Sequence, residues 1–565
     1  MTIDPTPEAP LEARPEKDAA GPDAEATLGR GGAPGRLASP KGVAAVVAVA
    51  GAAALVLGLA AGKGLAPGIP GSPVLDGQGA YATPAPARPD DGPGVASAAG
   101  AVGDGVVLSA AELTSGADPY PRRAGEPNRL ALSVSSYLQS AAEQPVSWME
   151  WGPEAFDVAR RLDRPIYLDI GAVWCHWCHV MDAESYENPA IARLINANFV
   201  PVKVDRDARP DIDARYQRAV QAISGQGGWP LTAFLTPAGK VFFGGTYFPA
   251  DTVGGRVGLT ELLPRVVQVY AAQREEVWSE AQRLHDQIAA VDARLTAPGA
   301  VTADLAASVA QGLRDDFDEE NGGWGGGTTK FPNASAVDLA LLRYADTGDD
   351  AWLTMATTTL DGMATGGVRD HIFGGLFRYS TDPGWRVPHF EKMSYVNAGA
   401  LGNFARGYEA TGKDLYMQAG LEIVDYLATT GSDGRRGGFY ATQDADVSMD
   451  DDGSYYTWTL AEAEAVLTAD EAAVVIPHFG IAVSPRRATR ELPDRNVLFL
   501  AKTAEDLAAE QGRSVAEVEG LIAKGRDRMA DARSKSKEPF VDPTVYTNWN
   551  GMMISAYLAA AEAFD

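Results

Sequence analysis

Cysteine is scarce in this chain of 565 residues, which contains only two of them. A fold held by several disulfides is therefore excluded. Positive charge is also in deficit, because the formal net charge is -27. Nucleic acid is not an expected partner, since its phosphates would be repelled by such a surface. Hydrophobic residues make up 45% of the chain, enough for large folded cores.

Large apolar residues are rare in residues 1–41, a segment rich in Pro, Ala, Gly and Glu that is predicted to be disordered. Residues 42–62 contain no charged residue and are long enough to span a bilayer, so they are predicted to form a single transmembrane helix. Arg30, Arg36 and Lys41 precede this segment, which places the N-terminus in the cytoplasm and the bulk of the chain on the extracytoplasmic side. The alternatives are a cleaved signal peptide and an Ala-rich buried helix of a cytoplasmic protein.

Residues 63–140 are rich in Gly, Pro and Ala and are predicted to be a linker. With the topology above, this linker would hold the folded part away from the outer face of the membrane. Two domains are predicted beyond it, an α/β domain over 141–295 and an all-α domain over 296–565. An extracytoplasmic location would expose the cysteine pair to oxidising conditions.

The two cysteines, Cys175 and Cys178, form one Cys-x-x-Cys motif. The apolar run 165–170 before it predicts a buried strand, and the spacing over 179–199 predicts a helix. A strand, a tight turn and a helix in this order present one sulfur at a helix N-terminus, where the backbone N–H groups stabilise a thiolate. A Cys-x-x-Cys in this context indicates a thioredoxin-like redox motif.

Further segments fit the thioredoxin fold. Residues 199–205 predict a second strand, residues 227–239 predict a turn, a strand and a hairpin turn, and residues 241–245 predict its partner strand. By resemblance to thioredoxins, Pro230 occupies the position of a cis proline that faces the Cys-x-x-Cys.

The same resemblance to thioredoxins implies roles for individual residues. Cys175 would be the attacking sulfur and Cys178 the resolving one. Asp169 would be the buried aspartate that assists proton transfer to the resolving thiol. His176, when protonated, would lower the pKa of the adjacent thiol. The nearby tryptophans are candidate substrate contacts: Trp174, Trp177 and Trp229.

Other interpretations of these residues stay open. The cysteines could be structural and inert, Asp169 could be a surface carboxylate at a strand end, and Pro230 could be a trans turn proline. Zinc is disfavoured because the cysteines and their neighbouring histidines are packed too closely for one tetrahedron. No metal and no cofactor is predicted. The expected partners are thiols or disulfides of proteins or small molecules.

Several motifs together resemble one family. They are Trp177-Cys178-His179-Val180-Met181, Val202-Lys203-Val204-Asp205-Arg206-Asp207, Gly227-Gly228-Trp229-Pro230-Leu231-Thr232 and Gly244-Gly245-Thr246-Tyr247-Phe248-Pro249. The chain resembles, from about residue 150 to 565, the thioredoxin-domain family that includes spermatogenesis-associated protein 20. The resemblance implies a thioredoxin-like domain followed by a helical (α/α) toroid of the six-hairpin or epimerase type. Asp169 and Trp174 depart from the family, in which a small polar residue is common at both positions.

In the helical region, residues 336–347, 398–412 and 415–429 have helical periodicity. Gly-Gly-aromatic turns recur near residues 322, 374 and 437, which predicts a repeat of helical hairpins. The predicted fold class is therefore an α/β thioredoxin-like domain followed by an all-α toroid. About 270 residues are fewer than a full toroid needs, so an incomplete toroid is expected.

Polar residues in these turns suggest a carbohydrate ligand as an alternative. By resemblance to the epimerases, His371 and His389 would be an acid–base pair at a sugar carbon. Glu391 and Asp444 would instead suit glycoside hydrolysis, which uses two carboxyl groups. Equally, these groups could bind turn backbone and hold the hairpins together.

The sequence therefore predicts a membrane-anchored thioredoxin-like protein that acts as a thiol–disulfide oxidoreductase. One alternative is a carbohydrate-binding or sugar-modifying protein that works through the helical toroid, with the thioredoxin domain as a scaffold. Another is a folding helper that grips unfolded chains without turnover.

Overall fold

The computed structural model describes residues 113–565, with gaps at 114, 119, 124, 296–298, 301, 326, 328, 436, 449–450, 452 and 483–491. The predicted disordered segment, the transmembrane helix and most of the linker lie outside the described residues. Within the part that is described, no helix is long and apolar enough to cross a membrane.

A five-stranded mixed sheet forms the centre of the α/β part, in the order β1-β3-β2-β4-β5. The strands are β1 (Met149–Glu150), β2 (Ile166–Gly171), β3 (Val200–Asp205), β4 (Leu231–Leu235) and β5 (Val241–Gly245). β1, β3 and β2 are parallel, whereas β4 and β5 are antiparallel to their neighbours. β2 and β3 are buried along their whole length, which explains their nearly continuous apolar sequence.

In the described part of the chain, seven α-helices accompany this sheet. They are α1 (Ser136–Ser140), α2 (Pro153–Leu162), α3 (His176–Met181), α4 (Pro189–Asn198), α5 (Pro210–Ser224), α6 (Leu259–Ala272) and α7 (Arg274–Leu295). α2, α4 and α5 each begin with proline, whose fixed φ suits the first helical position. The core on one side of the sheet also takes in Leu130 and Tyr137, which the sequence analysis placed in the linker.

The single helix predicted over 179–199 is wrong in its bounds. α3 begins at His176, a π-helical turn follows at Asp182–Tyr186, and α4 starts anew at Pro189. The break has a local cause, because a proline at position 189 cannot donate the backbone hydrogen bond that a continuous helix requires. Asn188 instead caps the new helix by accepting from the Ala190 N–H.

The rest of the described chain is mainly helical. Its helices are α8 (Ala303–Asp315), α9 (Ala334–Thr347), α10 (Asp350–Thr365), α11 (Ser394–Thr411), α12 (Asp414–Thr429), α13 (Leu460–Val466), α14 (Ala469–His478), α15 (Ala504–Gln511), α16 (Val515–Arg533) and α17 (Thr547–Phe564). The three helices predicted from periodicity are confirmed as α9, α11 and α12. Gly348 and Gly412 end α9 and α11 with positive φ, so each helix turns back into the next within two residues.

Short strands link these helices: β6 (Tyr379–Ser380), β7 (Pro388–His389), β8 (Lys392–Met393), β9 (Thr442–Gln443) and β10 (Val541–Asp542). β6 pairs with β7, and β9 lies between β8 and β10. The predicted succession of an α/β part and a helical part is confirmed, although the second part contains short strands and is not purely α. Closure of the hairpins into a toroid stays a prediction.

The two parts share one apolar core. Met393 belongs to the same buried cluster as Cys175 and Cys178, and Tyr395 and Trp549 of the helical part pack against it. The Cys-x-x-Cys end of the sheet therefore faces the helical part directly.

Candidate functional site

Cys175 and Cys178 form a disulfide at the N-terminus of α3, with their Cα atoms 5.2 Å apart. Cys175 is the N-cap, and its Sγ accepts the Cys178 N–H at 3.2 Å. The backbone dipoles of the first turn therefore point at the Cys175 sulfur and favour its anionic form. Cys175 is 5% exposed and Cys178 is 1% exposed, so solvent reaches the first sulfur more readily.

Asp169 lies at the centre of a buried charge network behind the disulfide. Lys203 Nζ donates to Asp169 Oδ2 at 2.6 Å and to Asp182 Oδ1 at 2.9 Å. The hydroxyl groups of Tyr137 and Tyr186 donate to the two Asp169 oxygens at 3.4 and 3.1 Å. The interpretation of Asp169 as an exposed carboxylate is wrong, because β2 is buried along its length.

The protonation behaviour of this network follows from its burial. Burial raises the pKa of Asp169 above its usual value, although Lys203 opposes that effect. Burial by itself would lower the pKa of Lys203, but Asp169 and Asp182 hold it well above the usual value. Burial also raises the pKa of the Tyr137 hydroxyl, which therefore stays a hydrogen-bond donor. Asp169 can therefore take up a proton beside the disulfide. A group that assists the resolving thiol must be able to do this.

Gly171, the last residue of β2, brings this network against the resolving sulfur. A Cβ atom at this position would lie 2.1 Å from the Tyr137 hydroxyl oxygen and 2.8 Å from Cys178 Sγ. Those atoms are therefore neighbours, with the Asp169 carboxylate bound to the same tyrosine. The structure places the predicted aspartate next to the predicted resolving cysteine.

Gly171→Ala is expected to lower the free energy of unfolding by about 1–3 kcal/mol, because the added methyl group forces Tyr137 and Cys178 apart. Urea unfolding of the full chain measures the loss. Gly551→Ala is the matched control, since nothing lies within 4 Å of a Cβ on that exposed helical glycine. The control should gain stability slightly. Equal stability of Gly171→Ala and the parent would contradict the close packing described here.

The helical part supplies carboxylates to the other side of the motif. His176 Nδ1 lies 2.6 Å from Asp446 Oδ2. His179 donates its Nε2 proton to the Val173 carbonyl at 2.6 Å, and the same nitrogen lies 3.7 Å from Asp444 Oδ2. Loops of the helical part therefore contact both histidines of the motif.

Aromatic and cationic side chains surround the residue before Cys175. Trp174 Nε1 donates to Asp207 Oδ2 at 2.7 Å, and the Trp174 ring lies 5.7 Å from the ring of Trp229. The Arg378 guanidinium of the helical part lies 4.3 Å from the centre of the Trp174 ring. The Trp229–Pro230 peptide bond is cis, as the sequence predicted. Trp177 is 49% exposed and packs against Tyr247 at 5.1 Å.

Several buried polar atoms of this site have no hydrogen-bond partner. Arg378 Nε and Nη1, Glu391 Oε2 and Asp446 Oδ1 are buried, and no described residue offers them a hydrogen bond. Arg378 Nη1 and Glu391 Oε1 are 3.8 Å apart, beyond hydrogen-bond distance. Buried polar atoms without partners are rare in folded proteins and mark places where a ligand or ion can bind.

Burial and neighbouring carboxyl groups raise the pKa values of two carboxyl groups in this site. Burial raises the pKa of Asp444 well above its usual value, and the neighbouring Asp446 and Glu391 raise it further. Burial also raises the pKa of Asp446, against the opposing effect of His176. Burial lowers the pKa of His389, while Glu391 acts in the opposite direction. His389 also packs on Tyr379, at 4.8 Å between ring centres.

His371 occupies a different environment from His389. Its Nε2 donates to the Gly366 carbonyl at 2.8 Å, and its ring lies 5.8 Å from that of Phe479. Burial lowers the pKa of His371 well below its usual value, so the ring is neutral. These contacts match the structural interpretation, in which a turn histidine binds backbone.

The structure thus brings most of the predicted site residues together around one disulfide. They are Cys175, Cys178, Asp169, His176, Trp174, Trp229, His389, Glu391 and Asp444. Sequence reasoning gave no role to Lys203, although a lysine inside the apolar strand Val202-Lys203-Val204 was a visible signal of a buried partner. In the part of the chain that the structure describes, no group of three His, Cys, Asp or Glu side chains is arranged to hold a metal ion.

Comparisons with known proteins find similar chains. The family model Thioredox_DsbH, described as a protein of unknown function (DUF255), matches residues 127–289. Human spermatogenesis-associated protein 20 is 37% identical over 462 residues, which cover 76% of this chain and 58% of that protein. An uncharacterized protein of Caenorhabditis elegans is 34% identical over 464 residues, covering 78% of this chain and 63% of that protein. The chain thus spans about three-fifths of the length of these relatives.

A solved structure of a sugar epimerase from a ruminal bacterium is also similar. It is 15% identical, with 45% of this chain and 63% of that chain covered and a TM-score of 0.23. A likeness of this strength supports no conclusion about what the helical part does.

Proposed function

Because this chain belongs to the thioredoxin-domain family that includes spermatogenesis-associated protein 20, we propose that it is a thiol–disulfide oxidoreductase whose helical part helps to bind the substrate. The observation that carries the proposal is the position of the disulfide. Cys175 caps α3, and the proton-holding network around Asp169 lies behind Cys178. Inert structural cysteines would have no need of either feature.

The proposed reaction proceeds in two steps. In the reduced protein, the Cys175 thiolate attacks one sulfur of a substrate disulfide and displaces the other half as a thiolate, which takes up a proton. Cys178 then loses its proton and attacks Cys175 Sγ, which releases the second thiol and forms the Cys175–Cys178 disulfide. Two electrons pass from the protein to the substrate. An external dithiol must return them for the next cycle.

Tyr137 and Asp169 are placed to serve the second step. The Cys178 thiol has to lose its proton in a buried environment, where a thiolate is costly. The Tyr137 hydroxyl lies next to Cys178 Sγ and donates to Asp169, which offers a path for that proton. Lys203 pairs with both Asp169 and Asp182 and compensates part of their negative charge.

The surroundings of Cys175 favour small substrates. The sulfur is nearly buried, and Asp446 and Arg378 of the helical part contact the residues on either side of it. A disulfide within a folded protein would have to displace these loops. A small disulfide needs much less room.

The reduction potential of the Cys175–Cys178 pair tests the proposal. The full chain is equilibrated with glutathione buffers of graded composition, and free thiol is quantified after acid quenching. A reversible two-electron transition between about -120 and -270 mV is expected, the range of catalytic dithiols. A disulfide that stays oxidised throughout this range would place the pair among structural disulfides and overturn the proposal.

A sugar-directed activity is the second candidate, and one observation favours it. Asp444 has a raised pKa beside Glu391, and a protonated carboxyl group near a second carboxylate is the pairing that glycoside hydrolysis uses. This candidate requires that turnover of a glycoside survives Cys175→Ser. If Cys175→Ser abolishes turnover of the glycoside, the sugar-directed candidate is wrong.

The membrane anchor at residues 42–62 is part of the proposal on the grounds of the sequence alone. It would place the oxidoreductase on the extracytoplasmic side.

A further inference from the structure

The unpartnered polar atoms beside the disulfide carry opposite charges. Arg378 Nε and Nη1 donate no hydrogen bond, and Glu391 Oε2 and Asp446 Oδ1 accept none. Arg378 and Glu391 form a loose ion pair, with Nη1 and Oε1 3.8 Å apart. Glu391 is 3% exposed, and the Asp446 side chain is 8% exposed. A buried polar group without a hydrogen bond is unfavourable, and more so when it is charged. A ligand that pairs with both kinds of group would recover that free energy.

The positions of these groups relative to the sulfur define the ligand. The Arg378 guanidinium stacks on Trp174, the residue before Cys175. Asp446 bonds to His176, the residue after Cys175. Glu391 Oε1 lies 3.8 Å from Arg378 Nη1, and, beyond the effect of burial, the charge of Glu391 raises the pKa of Asp446. A cationic group, Arg378, and an anionic group, Asp446, therefore contact the two residues that flank Cys175.

We infer that the substrate is a small disulfide of the amino-acid type, which carries both an ammonium and a carboxylate group. The carboxylate would pair with Arg378, and the ammonium, with its three N–H donors, would pair with Glu391 and Asp446. This inference rests on the proposed oxidoreductase activity and names its substrate class. The chemistry is the two-step exchange described above, with the small disulfide as electron acceptor.

Four small disulfides separate the charge contributions. Cystine has both charged groups, cystamine has only the ammonium, 3,3′-dithiodipropionate has only the carboxylate, and bis(2-hydroxyethyl) disulfide has neither. Pre-reduced full-length protein is mixed with each one anaerobically, and the rate of the single turnover is measured. Each rate is divided by the rate of the same disulfide with free dithiothreitol, which removes differences in intrinsic reactivity.

Cystine is expected to exceed the neutral disulfide about 100-fold in normalised rate, and each singly charged disulfide about 10-fold, because a hydrogen bond to a charged group contributes about a factor of ten or more. Glu391→Gln should lower the cystine-to-neutral and cystamine-to-neutral ratios about 10-fold. Arg378→Gln should lower the cystine-to-neutral and dithiodipropionate-to-neutral ratios by a similar factor. Each ratio is taken within one variant, so a general loss of folded or reactive protein cancels.

Glu409→Gln and Arg193→Gln make the same charge changes at exposed positions and serve as matched controls. Equal normalised rates for all four disulfides would overturn the inferred substrate class while leaving the oxidoreductase proposal standing. A preference for cystamine or dithiodipropionate over cystine would also overturn it. Failure of the reduced protein to react with any of the four would overturn the oxidoreductase proposal itself.

Discussion

Cys175→Ser is expected to lose thiol–disulfide turnover by about 10³-fold or more, as loss of the nucleophile does in other covalent catalysts. Cys178→Ser is expected to behave differently, because its Cys175 can still attack. Without the resolving sulfur, the mixed disulfide between Cys175 and the substrate should accumulate. Stopped turnover with a stable adduct would show which sulfur acts first.

Mass spectrometry after mixing each reduced variant with a small disulfide measures the outcome. Cys178→Ser should gain the mass of one substrate half, and Cys175→Ser should gain little. The double variant Cys175→Ser/Cys178→Ser is the control, since the chain has no other cysteine that could form an adduct. An adduct on Cys175→Ser but not on Cys178→Ser would reverse the assignment of roles. No adduct on either variant would argue for a binding module without turnover.

The sequence was informative about the α/β part because its signals are local. A buried strand, a Cys-x-x-Cys and a helix follow one another within about twenty residues, and each has a recognisable pattern. The pairing of β4 with β5 was predictable for the same reason, whereas the cis peptide before Pro230 was expected from the resemblance to thioredoxins. The interruption at Asn188 was missed because the apolar spacing continues across it, whereas a single proline decides where α4 begins.

The composite nature of the site could not be predicted from local patterns. His176 and Asp446 are 270 residues apart in the chain but 2.6 Å apart in space. Arg378 reaches Trp174 over a similar separation. Treated as separate motifs, the cysteine pair suggested redox chemistry and the polar turns suggested sugar chemistry. The packing of Met393, Tyr395 and Trp549 against the α/β core helps to bring the two sets together.

Lys203→Met is expected to lower the free energy of unfolding by about 3–5 kcal/mol at neutral pH. Methionine can fill much of the same space, but it leaves Asp169 and Asp182 buried without their shared cation. Removing one partner of a buried ion pair is costly for this reason. Urea unfolding of the full chain measures the loss, and Lys524→Met, at an exposed helical position, is the matched control.

The loss should depend on pH in a defined direction. Burial already raises the folded-state pKa of Asp169, and without Lys203 nothing of opposite charge restrains it. A carboxyl group with a raised folded-state pKa is no burden below its unfolded pKa, where it is protonated in both states. The cost grows as the pH rises above the unfolded-state pKa and reaches its full value above the folded-state pKa. The deficit of Lys203→Met should therefore be smaller at pH 5 than at pH 8.

Asp169→Asn combined with Lys203→Met separates the two carboxylates, because the double variant removes the cation together with one of its two partners and leaves only Asp182 unpaired. It should be more stable than Lys203→Met alone, and the two substitutions should be strongly non-additive. A deficit for Lys203→Met that is below about 1 kcal/mol, or that does not change with pH, would mean that the carboxylates are not desolvated together. The proposed proton-accepting role of Asp169 behind Cys178 would then lose its physical basis. That role requires a carboxylate that burial makes unfavourable, so that it takes up a proton readily.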